Sequence, residues 1–164
     1  HFDPNILKQI FASNPRCKLY TVHAVADELD DEFSPQIVTG GVGMSCGPFH
    51  LEFFGGTHAI IHETYPTTDN VGVLINETLY YPGDSFTKPD KPVAVLAIPA
   101  SAPWMKVGEA IDFINDLKPK QVFPTHNAVL SDEGMTINNR ILEAATKNSG
   151  GIYQHLKSSE SLTF

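Results

Sequence analysis

Residues 79–86 read Leu-Tyr-Tyr-Pro-Gly-Asp-Ser-Phe, an apolar strand that runs into a Pro-Gly turn. The turn places one carboxylate, that of Asp84, directly after the strand. Aspartate is common in turns because its side chain bonds nearby backbone groups, so turn formation alone would explain it. The alternative is that a rigid strand end holds a ligand or a catalytic group. The rest of the sequence decides between these two interpretations.

The residues before this stretch predict a short helical region followed by a β-meander. Asp3-Pro4 is a helix start signal, and Asn14-Pro15 ends the helix. From residue 36 to residue 81, apolar and polar residues alternate, which is typical of half-buried strands. The predicted elements of this region are a strand over 19–22, a short acidic helix over 23–31, strands over 49–53, 57–61, 71–75 and 78–81, and a tight hairpin at Asn76-Glu77.

The residues after the opening stretch predict alternating strands and helices. The continuous apolar run over 93–98 is typical of a strand buried on both faces. The other predicted elements are an amphipathic helix over 107–117, a strand over 121–123, a helix that contains Ile137, Ile141 and Ala145 and ends at Gly150-Gly151, and an edge strand over 152–156. The order, a β-meander and then β-α-β-α, predicts an α/β (α+β) fold with sheet layers covered by helices.

Length and charge narrow the class of protein. The 164 residues are enough for one domain, predicted to span 1–164. The net charge of −8 argues against nucleic acid or an anionic membrane as a partner, because both attract basic surfaces. The longest apolar run is far shorter than a membrane span, and Cys17 and Cys46 are too few for a disulfide scaffold. We therefore expect a cytoplasmic protein with a small-molecule substrate.

Three potential metal ligands share one sequence context. His58, Asp84 and His126 each end an apolar strand or follow it in a turn rich in glycine or proline. Taken singly, each has an ordinary explanation as a strand, turn or loop residue. Imidazole and carboxylate groups that converge from several strand ends suit Zn²⁺, with Mn²⁺ or Fe²⁺ as alternatives. The joint pattern predicts a metal site.

The ordered set of motifs resembles the metallo-β-lactamase-fold hydrolases, in particular the branch that contains L-ascorbate-6-phosphate lactonase. The shared motifs are Gly56-Thr57-His58, Gly83-Asp84-Ser85 and Pro124-Thr125-His126-Asn127. The opening His1-Phe2-Asp3-Pro4 is similar to the continuation of the family's early H-x-H-x-D-H motif. In the preferred register His1 is the last histidine of that motif; in the other register it would be the second, with Pro4 at a ligand position.

The resemblance implies an αββα sandwich and a two-metal hydrolytic site. It assigns Asp84 as the carboxylate that bridges two divalent ions, Zn or Mn. It places His58 on one ion and His1 and His126 on the other, with Asp84 and His126 as the catalytic residues. The implied reaction is hydrolysis of an ester, lactone or phosphodiester through a metal-bridged hydroxide. His62, four residues after His58, and Trp104, after a buried strand, are candidate substrate contacts.

The sequence departs from the family at its start. Two histidines and one aspartate of the first motif are absent, so the chain resembles the C-terminal two-thirds of a member, N-terminally incomplete. We expect this fragment alone to be inactive, with weak or absent metal, and to form a homo-oligomer or associate with the missing segment. The alternative hypothesis is a non-catalytic, truncated or processed chain that forms oligomers. The reading frame upstream of His1 discriminates between them.

Overall fold

A computed structural model describes residues 2–156 and 160–164 of the protein. The chain divides into two compact units, His1–Val38 and Thr39–Phe164. The mixed α/β class predicted from the sequence is confirmed. The assignment of residues 1–164 to a single domain stays a prediction.

The first unit is built on a capped helix. Asp3 Oδ1 accepts hydrogen bonds from the N–H groups of Asn5 at 2.8 Å and Ile6 at 3.2 Å, so the predicted N-cap is confirmed. The elements are α1 (Pro4–Ser13), β1 (Tyr20–Thr21), α2 (His23–Ala26), a 3₁₀ turn (Asp31–Phe33) and β2 (Gln36–Ile37). β1 and β2 pair in parallel. The helix predicted over 23–31 is wrong beyond Ala26, because a run rich in Asp and Glu there has only a half-buried leucine to pack.

The second unit contains a seven-stranded sheet whose spatial order follows the sequence. Its strands are β3 (Gly43–Cys46), β4 (Phe49–Phe54), β5 (Gly72–Ile75), β6 (Leu79–Tyr81), β7 (Val95–Pro99), β8 (Gln121–Thr125) and β9 (Ile152–Tyr153). Neighbours from β3 to β6 are antiparallel, and neighbours from β6 to β9 are parallel. The sheet thus changes from meander to crossover connections at β6, the strand that begins the segment 79–86.

The turn between β5 and β6 has the predicted hairpin geometry. Asn76 and Glu77 both have φ of 51°, and the N–H of Thr78 donates to Ile75 O at 3.0 Å. Two successive positive φ angles are the requirement of a type I′ turn, whose twist matches that of the paired strands. The Asn76-Glu77 hairpin is therefore confirmed.

The strand predicted over 57–61 is wrong. Only an isolated bridge forms there, between Thr57 and Asp69. Gly55 has φ of 85°, a left-handed backbone that breaks the extended path of β4 just before this segment. The chain leaves the sheet at this point, and the apolar residues Ile60 and Ile61 are exposed rather than packed.

The core lies between the sheet and two helices, α3 (Val107–Leu117) and α4 (Asp132–Asn148). Its fully buried side chains include those of Leu74, Tyr80, Leu96, Ile98, Phe113, Ile114, Val122 and Leu142. Every residue of β7 is buried, as the continuous apolar run predicted. Lys118, with φ of 47°, ends α3 directly before Pro119. Within the described residues, no helix is both long and apolar enough to cross a membrane.

Candidate metal centre

Three neighbouring parallel strands deliver polar groups to one edge of the sheet. β6, β7 and β8 are parallel, so their carboxyl ends meet at the same edge. Asp84 follows β6, the loop that contains Ser101 and Trp104 follows β7, and His126 directly follows β8. This topology brings together residues that lie far apart in the sequence.

His58 reaches the same place from a loop rather than from a strand. Its N–H donates to Thr68 O at 2.9 Å, and the N–H of Ala59 donates to Asp84 O at 2.8 Å. These two backbone bonds fix the segment beside the Asp84 turn. His58 thus lies in a loop and not in the predicted strand, but it lies beside Asp84, as the sequence predicted.

Two of the predicted ligands, His58 and His126, converge on a third, the Asp84 carboxylate. His126 Nε2 lies 2.9 Å from Asp84 Oδ1, and His58 Nε2 lies 4.0 Å from Asp84 Oδ2. The side chains are 11–15% exposed, which makes the cluster accessible but largely enclosed. The convergence predicted from the sequence is confirmed, whereas the metal-binding roles remain predictions.

Both histidines are oriented by backbone carbonyls. His126 Nδ1 bonds Ser101 O at 2.7 Å, and His58 Nδ1 bonds the carbonyl of Ala59. A carbonyl only accepts hydrogen bonds, so Nδ1 carries the proton in each ring and Nε2 is the nitrogen directed at Asp84. Metal-binding histidines characteristically donate their other ring N–H in this way.

The indole of Trp104 also contacts the central carboxylate. Trp104 Nε1 donates to Asp84 Oδ1 at 3.2 Å. Its ring makes edge contacts with Phe86 at 5.1 Å and with His58 at 6.2 Å between centroids. Phe86 in turn packs against Phe113 of the core. Trp104 is thus placed in the site, and its predicted role as a substrate contact stays a prediction.

The backbone of His126 has an unusual conformation. Its φ of 57° lies in the left-handed region, which costs a non-glycine residue about 1 kcal/mol or more. Such conformations persist where the surroundings determine them, and they cluster at functional sites. Here the left-handed residue comes immediately after β8 and carries one of the converging side chains.

His62 lies on the exposed loop that follows His58. Its Nδ1 accepts a hydrogen bond from the N–H of Thr64 at 3.2 Å and lies 2.9 Å from Thr64 Oγ1. A backbone N–H only donates, so the proton of the neutral His62 ring is on Nε2, the reverse of the arrangement in His58 and His126. The Nε2–H of His62 is therefore the hydrogen-bond donor of this ring. The contact of His62 with substrate stays a prediction.

The donor set fits cations in part. Imidazole nitrogens and a carboxylate are ligands for Zn²⁺ and Mn²⁺, and both histidines direct Nε2 at Asp84. Over residues 2–156 and 160–164, however, no group of three or more His, Cys, Asp or Glu side chains is arranged to hold a metal ion. The geometry is that of two pairs, one histidine with each carboxylate oxygen. His1, predicted to be a further ligand, lies outside the described residues.

One residue of the site, Asn70, was not predicted from the sequence. Its side chain is buried and accepts the backbone N–H of Asp84 at 2.8 Å. In the sequence Asn70 precedes a strand within Thr-Thr-Asp-Asn, a pattern that reads as an ordinary turn. The contact joins residues fourteen positions apart, and only the pairing of β5 with β6 reveals it.

The environment of Asp84 also influences a neighbouring tyrosine. Burial raises the pKa of Tyr81 above its ordinary value, and the nearby negative charge of Asp84 raises it further. Tyr81 therefore stays neutral beside the carboxylate at physiological pH.

Comparison with known proteins supports this fold. Residues 1–126 match the β-lactamase superfamily domain. The Mycobacterium tuberculosis protein Rv0786c is 30% identical over 170 residues, a match that covers all of this chain and 77% of that protein.

Two solved structures have a similar fold. Igni18 of Ignicoccus hospitalis, described as a metallo hydrolase, superposes with a TM-score of 0.71 at 14% identity, over 96% of this chain and 72% of its own. The metallo-β-lactamase-fold protein YhfI of Bacillus subtilis gives a TM-score of 0.57 at 14% identity, over 93% and 68%. The protein thus has the fold of the metallo-β-lactamases, and the chain belongs to the β-lactamase superfamily.

Proposed function

We propose that the protein is a metal-dependent hydrolase that acts on an ester, lactone or phosphodiester. Membership of the β-lactamase superfamily and the metallo hydrolase among its structural neighbours support this class of activity. The L-ascorbate-6-phosphate lactonase branch is the finer proposal, and it rests on the motif resemblance alone.

One observation carries the proposal. The Asp84 carboxylate presents one oxygen to each of two histidines, and each histidine is held by a backbone carbonyl so that Nε2 faces Asp84. A carboxylate has two oxygens and can serve two cations, whereas one imidazole nitrogen can serve one. This arrangement suits a pair of cations better than a single one.

The pairs divide the ligands between two positions. His58 and Asp84 Oδ2 would hold one ion, and His126 and Asp84 Oδ1 the other. Bound divalent ions lower the pKa of water and polarise a carbonyl or phosphoryl group. Structural zinc sites take four donors, so further ligands are needed, and the resemblance assigns some of them to His1 and the rest of the H-x-H-x-D-H motif.

The surrounding residues have separate tasks. The carbonyls of Ala59 and Ser101 fix the two imidazole rings, which removes the need to reorganise them when a ligand binds. Trp104, whose indole contacts Asp84 and the ring of His58, would form a wall on one side of the carboxylate. His62 Nε2–H, on the adjoining loop, would donate to a polar group of the substrate.

A metal titration followed by hydrolysis assays tests this function. The chain would be titrated with Zn²⁺ and with Mn²⁺ by calorimetry, then assayed with p-nitrophenyl acetate, bis-p-nitrophenyl phosphate and a simple lactone. We expect weak metal binding, because the chain lacks most of the family's first ligand motif, and we expect Asp84→Asn to abolish it. Any hydrolysis should be lost when a chelator is added. His50→Asn is the matched control, because the His50 side chain is exposed on β4, beside Glu52 and outside the site. Equal binding by wild type and Asp84→Asn would refute the site.

The incomplete donor set favours a second candidate function. Among the side chains that the structure describes, none completes a three-ligand group around Asp84. A non-catalytic chain that forms oligomers is therefore the alternative proposal. Light scattering coupled to size exclusion would support it if the protein formed a defined oligomer and bound no metal.

A further inference from the structure

The turn that carries Asp84 is held from inside by one buried amide. Asn70, 8% exposed, bonds three parts of the turn: Oδ1 accepts the N–H of Asp84 at 2.8 Å, while Nδ2 donates to Pro82 O at 3.0 Å and to Ser85 Oγ at 3.2 Å. A side-chain amide has one acceptor oxygen and two donor hydrogens, and Asn70 uses both ends on residues 82, 84 and 85 of one turn. The amide therefore holds both sides of the turn.

Gly83 makes this arrangement possible. Its φ of 68° is left-handed, and a Cβ at this position would lie 2.2 Å from Asn70 Oδ1. The amide thus occupies the space that any other residue would need for its side chain. Glycine at this position therefore has two effects: it lets the Asn70 amide approach the backbone closely, and it allows the left-handed bend of the chain.

The hydrogen bond to the Asp84 N–H fixes the backbone from which the carboxylate projects. The same carboxylate receives the Trp104 indole on Oδ1, so the two halves of the residue are held by different partners. Without the amide, the buried N–H of Asp84 would lack this acceptor, and the turn would reorient to satisfy it. The position of both carboxylate oxygens depends on this bond.

We propose that Asn70 is the positioning residue of the site: by holding the Asp84 N–H it directs one carboxylate oxygen toward His58 and the other toward His126. Only the use of Asp84 as a metal ligand rests on the proposed function. The orientation of the carboxylate can be measured without metal.

Trp104 provides that measurement. It is the only tryptophan of the chain, and its Nε1–H donates directly to Asp84 Oδ1. A ¹H–¹⁵N correlation spectrum therefore contains a single indole signal, whose position reports the hydrogen bond to the carboxylate. Asp84→Ala, which removes the acceptor, provides the reference position for the broken bond.

The test compares Asn70→Leu, which has a similar volume and no hydrogen bonds, with Tyr80→Phe. Tyr80 OH donates to Thr87 O at 2.7 Å, so the control removes a hydrogen bond to the same loop without touching Asp84. We expect the indole signal of Asn70→Leu to move toward that of Asp84→Ala, while that of Tyr80→Phe stays at the wild-type position. Asn70→Ala carries the same comparison where the leucine variant does not fold.

Metal titration of the same samples separates this inference from the proposed function. Loss of an outer-shell partner typically weakens metal binding by about 10- to 100-fold, which we expect for Asn70→Leu and not for Tyr80→Phe. An indole signal that stays at the wild-type position in Asn70→Leu, or that moves equally in Tyr80→Phe, would overturn the assignment of Asn70. If the indole signals behave as expected but wild type binds no metal, the positioning role stands and the metal function fails.

Discussion

The indole N–H of Trp104 donates to Asp84 Oδ1 across 3.2 Å. The same oxygen lies 2.9 Å from His126 Nε2, so an indole and an imidazole share one carboxylate oxygen. A cation that binds between Asp84 and His126 must alter the electron density on the oxygen that the indole contacts. Trp104 is therefore a built-in reporter of the candidate site.

The first prediction uses this reporter. Adding Zn²⁺ should change the intensity and wavelength of the single-tryptophan emission, and a chelator should reverse the change. Asp84→Asn should show no change at the same Zn²⁺ concentration. An identical response in both proteins would mean that the ion binds elsewhere.

The second prediction separates a ligand from a substrate contact. With the rest of the H-x-H-x-D-H motif present upstream, Asp84→Ala should abolish metal-dependent hydrolysis and most metal binding, because both proposed ion positions use its carboxylate. His62→Ala should leave metal affinity unchanged and reduce hydrolysis much less, because the His62 ring is engaged with Thr64. Calorimetry and initial rates measure the two effects, and weakened metal binding in His62→Ala would make His62 a ligand instead.

The third prediction concerns the backbone of His126. Because the φ of residue 126 is 57°, glycine should suit this position better than alanine. The free energy of unfolding of His126→Gly should be about 1 kcal/mol higher than that of His126→Ala. At Thr125, the last residue of β8, the order should be reversed, with alanine more stable than glycine by roughly 0.5–1 kcal/mol. Urea denaturation of the four variants measures both differences. The same order at both positions would show that His126 is not strained.

The fourth prediction is a loss of stability at alkaline pH. Burial raises the pKa of Tyr80 above its ordinary value of 10.0, so the folded protein keeps the phenol proton where the unfolded chain loses it. The unfolded state then binds fewer protons than the folded state, and the free energy of unfolding falls as pH rises above about 10. Each such tyrosine contributes a slope of up to about 1.4 kcal/mol per pH unit.

Tyr80→Phe isolates this contribution. The variant should be less stable at neutral pH, because it loses the hydrogen bond to Thr87 O, and should also show a shallower decline above pH 10. Tyr153, whose pKa is likewise raised by burial and then by Glu143, accounts for part of the remaining slope. Parallel declines in wild type and Tyr80→Phe would contradict the assignment.

Much of the fold was predictable because local signals agree with the final structure. The Asp3 cap, the positive-φ pair at Asn76 and Glu77, and the uniformly buried strand β7 each follow from residue chemistry within a few positions. The strand predicted over 57–61 failed because Gly55 redirects the chain, and the alternation of apolar residues does not show where a strand leaves its sheet.

The sequence predicted which side chains form the site, but not the backbone groups that orient them. His58, Asp84 and His126 carry recognisable chemistry at strand ends, and parallel pairing brings two of them to one edge. The carbonyls of Ala59 and Ser101 that orient the imidazoles belong to the backbone, which every residue possesses. No residue type in the sequence distinguishes them.

The contact between Gly83 and Asn70 limits how this protein can vary. Any side chain at position 83 displaces the amide, and loss of the amide leaves the space that the glycine was keeping open. Positions 70 and 83 are therefore constrained together. A change at either one is costly, and the φ of 68° at Gly83 keeps a smaller residue at 70 from compensating for a side chain at 83. A library that randomises both positions together should return Asn-Gly and few other pairs, because a side chain at position 83 would meet the amide and would also need a left-handed backbone.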